Sequence, residues 1–98
     1  MKPVAGKAEV GIDFPDKAYM GSFGQGAGLD CHVDAGGVTI RLVRSGAEKR
    51  EVDLHLRHEL FVEIIEEAAQ SIAEAKRLDA DRRKALADAA RALLKAVT

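Results

Sequence analysis

The chain has 98 residues, 15 basic and 16 acidic side chains and a net charge of −1, a balance that argues against a dedicated polyanion binder, whose domains carry a basic excess. Its 28 larger apolar side chains suffice for one modest core, so a single domain over residues 1–98 is expected. Cys31 is the only cysteine, which excludes an internal disulfide and fits a reducing compartment; no run of about 18 apolar residues could span a membrane, and MKPVAGKAEV lacks a signal-peptide core, so a cytoplasmic protein is expected.

All nine glycines and both prolines lie in the first 46 residues, and eleven of the 17 alanines lie from Ala68 onward. This split predicts a β half over residues 7–57, after a flexible arm at 1–6, and a helical hairpin over 58–97. In KAEVGIDFP, Ala8, Val10, Ile12 and Phe14 alternate onto one strand face. Pro15 suits the second position of the following turn, and KAYMGSF reads as the next strand. GLDCHVD puts Leu29, Cys31 and Val33 on one face, with Asp30, His32 and Asp34 on the other. After the DAGG turn, VTIRLVR points Val38, Ile40 and Leu42 inward. RSGAEKR closes a further hairpin, and EVDLHLR aligns Val52, Leu54 and Leu56. One apolar face per strand predicts an antiparallel meander of four or five strands covered on one side.

From His58 the apolar period changes to that of a helix. Leu60, Phe61, Ile64, Ile65, Ala68 and Ile72 form one stripe. Asp79 is the N-cap candidate for a second helix, with Leu78 as a staple residue, although one continuous helix over 59–97 is an alternative. Leu86, Ala90, Leu93, Leu94 and Val97 make a narrower stripe. The expected architecture is α+β: an antiparallel meander, then two helices packed on one face, the first covering the sheet.

MGSFGQGAGLDCH holds four glycines in eight positions. A dinucleotide loop needs a third glycine where Leu29 stands and a helix where a strand follows. No Gly-Lys-Ser/Thr triplet occurs. The stretch therefore reads as a bend, either a hairpin turn at Gly24-Gln25-Gly26 or a bulge, with close approach of a partner backbone as a third option.

His32 and His55 are the weak metal candidates. In a meander they lie two strand spacings apart, about 9.5 Å, with Arg41 expected between them, and a shared zinc needs donors about 2 Å from the ion. His55-x-x-His58-Glu59 is not a zinc-protease motif. Cys31 and His32 point to opposite strand faces, so Cys31 reads as a small core residue. Ser22 lacks the glycine-flanked nucleophile elbow, because Met20 holds its first position. No catalytic constellation, metal or cofactor is expected, and the chain reads as a non-enzyme.

Two interaction readings remain. The favoured one is a self-associating module with a homo-oligomeric or other protein partner, using Leu86, Ala90, Leu93 and Val97 on the last helix. Opposite charge biases of the two helices, Glu59, Glu63, Glu66, Glu67 and Glu74 against Lys76, Arg77, Arg82, Arg83, Lys84, Arg91 and Lys95, would set orientation more than affinity. The alternative is a single-stranded nucleic-acid regulator, stacking bases on Tyr19 and Phe23 with Arg41 and Arg57 meeting phosphates; residues 1–58 carry eight basic and eight acidic side chains, which opposes it. The sheet-then-helix layout is similar to that of PC4-like single-strand binders at the level of fold alone. A small-ligand or metal site near His32, His55 and the glycine stretch is the third reading.

Overall fold

The computed structural model describes residues 1–98. Six strands precede two helices: β1 (Lys2–Pro3), β2 (Ala8–Phe14), β3 (Lys17–Phe23), β4 (Ala27–Asp34), β5 (Gly37–Arg44), β6 (Arg50–Leu56), α1 (His58–Glu74) and α2 (Ala80–Val97). The fold is α+β. The chain divides into two compact units, Met1–Val62 and Glu63–Thr98. No helix is long and apolar enough to cross a membrane.

In the first unit the strands form two sheets. β4, β5 and β6 make the antiparallel meander, and β1 adds to the outer edge of β4; β2 and β3 form a separate two-stranded ribbon. Residues 2–3 thus pair with Leu29 and Gly28, where the sequence suggests a loose arm, and Val4 N–H donates to the Ala27 carbonyl at 3.0 Å. Alternation places the apolar residues of the meander in three cross-strand rows: Leu29–Leu42–Val52, Cys31–Ile40–Leu54 and Val33–Val38–Leu56. Directly opposed β-branched and aliphatic side chains are the stabilising unit of such a sheet.

The glycine stretch is a bend. Ala27 N–H donates to the Gly24 carbonyl at 2.9 Å, and Gly26 takes φ +90°, the left-handed value that a type II turn requires at its third residue. The strands it joins do not pair with each other, as a hairpin's would. The turn carries the chain out of the ribbon and into the meander. Gln25 is followed by strand β4 rather than a helix, so no helix N-terminus lies there to hold a phosphate.

The core of this unit is small. Phe23, Ala27 and Val38 are its buried apolar residues, at 3%, 5% and 1% exposure. His58 fixes the start of α1 to the β4–β5 turn, its Nε2–H donating to the Asp34 carbonyl at 2.9 Å; the carbonyl only accepts, so Nε2 carries the proton.

In the second unit the chain breaks between Glu74 and Ala80, giving two helices rather than one. Asp79 is the N-cap, its carboxylate accepting from Arg82 N–H at 2.8 Å, as the sequence predicts. The position that would complete a hydrophobic staple with Leu78 is Arg83. Its guanidinium instead donates to the Leu78 carbonyl at 3.1 Å and the Ala75 carbonyl at 2.7 Å. The last turn of α1 has no basic residue of its own, so Arg83 supplies the cation that orphan carbonyls at a helix C-terminus favour.

Candidate functional site

The polar face of the meander gathers most of the residues that chemistry would use. Asp30, Arg41 and Asp53 form one cross-strand row, and His32, Thr39 and His55 the next. Arg41 is the hub. Its Nε–H donates to the Glu51 carboxylate, and Asp53 lies 3.4 Å away. The hydrogen bond from Arg41 holds the Glu51 carboxyl below the usual carboxylate range, against a smaller opposing effect of desolvation. The same bond raises the Arg41 guanidinium further above its already high value.

A carboxyl whose folded-state value is depressed adds stability that is complete above the ordinary carboxylate range and lost as pH falls through the folded-state value. Wild type is therefore expected to exceed Glu51→Gln in stability near neutral pH. The gap should close below about pH 4, in the range of an unperturbed glutamate and under it. Urea midpoints at a series of pH values measure this, and a gap that persists unchanged into acid contradicts the assignment.

The two histidines flank Thr39, not Arg41 as the sequence suggests. Arg41 lies one row away because alternation sets its partners as Asp30 and Asp53. His55 Nδ1 hydrogen-bonds with Thr39 Oγ1 at 3.0 Å, and His32 Nε2 lies 3.7 Å from Asp34 Oδ2. No group of three or more His, Cys, Asp or Glu side chains is placed to share a metal ion. Cys31, expected in the core, is exposed. β1 pairs with β4 only at Gly28 and Leu29, so the stretch from Asp30 to Asp34 is a sheet edge with no strand paired outside it.

The nucleic-acid contact set is not assembled. Phe23 is buried and offers no free ring face. Tyr19 lies on the ribbon, edge-on to Phe14 with ring centroids 6.2 Å apart, and Lys17 Nζ sits 5.8 Å from its centroid. Arg41 is committed to two carboxylates, and Arg57 is within 3.9 Å of Glu59. Asp30, Asp34, Glu51 and Asp53 make the polar face acidic, which repels phosphate.

Apolar surface is more plentiful. On α2, Leu86, Leu93, Leu94 and Val97 are exposed, Leu93 at 42% and Val97 at 72%. Leu86 and Ala90 line a groove of about 310 Å³ with Ala69, Ile72 and Ala73 of the same unit. The four residues read from the sequence as a contact stripe therefore split: the first two face the helical hairpin's groove, and Leu93 and Val97 continue the stripe beyond it. On the apolar face of the meander, Val33 and Leu54 are exposed, and on the ribbon Ile12, Phe14 and Tyr19. Sequence alternation marks each of these as inward-facing, and what it could not signal is that these positions are left uncovered.

Comparison of the chain with family models, with curated proteins and with solved structures gives no match.

Proposed function

We propose that the protein is a small non-enzymatic interaction module that works as a self-associated assembly, with Leu86, Ala90, Leu93 and Val97 contributing to the contact between copies. The observation that supports this reading is uncovered surface. The chain exposes 8192 Å², whereas two compact bodies of 62 and 36 residues would together expose about 6,500 Å². The excess, at least about 1,700 Å² per chain, exceeds the roughly 800 Å² that each partner buries in a standard interface and falls in the range of obligate homodimers. Fourteen large apolar side chains contribute to it, and monomers rarely expose contiguous apolar patches larger than about a few hundred Å². A second copy is the simplest cover, because a two-fold axis lets one patch close on itself.

The test is mass in solution. Light scattering on the full chain at micromolar concentration is expected to give a multiple of 10.5 kDa. Leu93→Glu, at an exposed helical position, is expected to weaken association at least about tenfold, which corresponds to about 1.4 kcal/mol. A wild-type monomer at these concentrations removes the reading. A multimer indifferent to Leu93→Glu moves the contact off α2.

A further inference from the structure

The β2–β3 ribbon is built with one apolar face. Cross-strand pairs put Ala8 with Phe23, Val10 with Gly21, Ile12 with Tyr19 and Phe14 with Lys17 on that face. The opposite face carries Glu9 with Ser22, Gly11 with Met20 and Asp13 with Ala18. Burial along the apolar face runs out toward the tip. Phe23 at the base is 3% exposed, but Ile12, Phe14 and Tyr19 are 44%, 49% and 54% exposed. Every residue from Gly11 to Met20 is exposed.

Neither β2 nor β3 pairs with a third strand. A lone two-stranded hairpin is marginal in water, and its two open edges invite further contact. An alternation that ends in Ile, Phe and Tyr is the pattern of a face that packs against something, and this chain's own core stops at Phe23.

We propose that the outer half of the ribbon is an arm whose apolar face, Ile12, Phe14 and Tyr19, is covered by a second copy of this chain. The inference rests on the self-association reading and adds the element that carries it. Two features favour a second copy over other occupants. The surface in excess of two compact bodies falls in the range that a homodimer buries. The unit that bears the arm also bears uncovered apolar positions on its meander, Cys31, Val33 and Leu54, so each copy offers both an arm and a receiving face, and the exchange closes under a two-fold axis. Asp13 and Asp16 outnumber Lys17 at the tip, which disfavours phosphate-rich partners such as nucleic acid or an anionic membrane.

The experiment compares two faces of the same ribbon in the full chain. Ile12→Asp with Tyr19→Asp alters the apolar face. Met20→Asp alters the opposite face, at a residue 90% exposed. Light scattering is expected to show wild type and Met20→Asp at dimer mass, and the double variant at monomer mass up to protein concentrations at least tenfold higher. Hydrogen exchange on the wild type, which needs no variant to fold, is expected to slow at amides 11–20 at least tenfold between dilute and concentrated samples. A wild-type monomer overturns both this inference and the reading it rests on. A wild-type dimer that the double variant leaves intact, with amides 11–20 still fast, overturns the arm alone. Loss of dimer in Met20→Asp to the same extent, or protection of the arm by anionic vesicles instead of by concentration, overturns it as well.

Discussion

Phe23→Ala is expected to lower the unfolding free energy by about 3–5 kcal/mol, the range for removing a buried phenyl ring. Phe23 is the only large side chain among the three buried apolar residues. It sits at the last pair of the ribbon, opposite Ala8, and one residue before the turn that leads into β4. Neighbours on a β-ribbon cannot collapse far into the space left by a ring, so the cavity term adds to the lost transfer energy. Domains of this size hold about 5–15 kcal/mol in all, so the variant should unfold at much lower urea concentration. Tyr19→Ala, four residues away on the same face but half exposed, should change monomer stability by less than about 1 kcal/mol. The pair separates a core role from a base-stacking one. Were Phe23 a stacking platform, its loss would spare stability and weaken oligonucleotide binding, and that pattern would refute a core role for its ring.

Alternation and helical spacing carried most of the fold. KAYMGSF corresponds residue for residue to β3, β2 and β4–β6 differ from expectation by one residue at their ends, β1 falls where a loose arm is expected, and the Asp79 cap divides the helical half where its side-chain chemistry demands. What alternation reports is which residues share a face. It is silent on which strand lies beside which, and on whether anything covers the face. Thus Val33, Leu54 and Cys31 belong to the apolar face as read, yet are exposed. The glycine stretch was legible as a bend, because only glycine takes such φ values freely. That its flanking strands enter different sheets depends on long-range pairing, which no local pattern encodes. The neighbours of Arg41 depend on register, and a shift of one row replaces a histidine pair by an aspartate pair. The role of Arg83 is hidden for another reason. Its carbonyl partners lie in the preceding turn and at the end of α1, and helical periodicity counts it only as one more charge on a polar face.

The β4–β5 turn provides the sharpest local test, because two adjacent glycines there do different things. Ala35 and Gly36 form the loop, and Asp34 braces it by accepting Gly36 N–H on its carboxylate at 2.7 Å. Gly36 does not take a positive φ, and a methyl group added to it would meet only the Asp34 carboxylate oxygen, at 3.2 Å. That oxygen ends a side chain able to give way. Gly37 is buried and holds φ +140°, where an L side chain is strained, and its methyl would run into the backbone carbonyl of Leu56. That carbonyl belongs to the end of β6, which pairs with Val38, so it cannot retreat without breaking the row that buries Val38. Gly37→Ala is therefore expected to cost about 3 kcal/mol or more, combining backbone strain of about 1–3 kcal/mol with a clash against fixed main chain. Gly36→Ala should cost under about 1 kcal/mol, since it also restricts the unfolded chain. Equal urea midpoints for the two variants would mean that β6 does not end against this turn. The order of strands in the sheet, and with it the rows that place Arg41 among carboxylates and the histidines around Thr39, would then have to be redrawn.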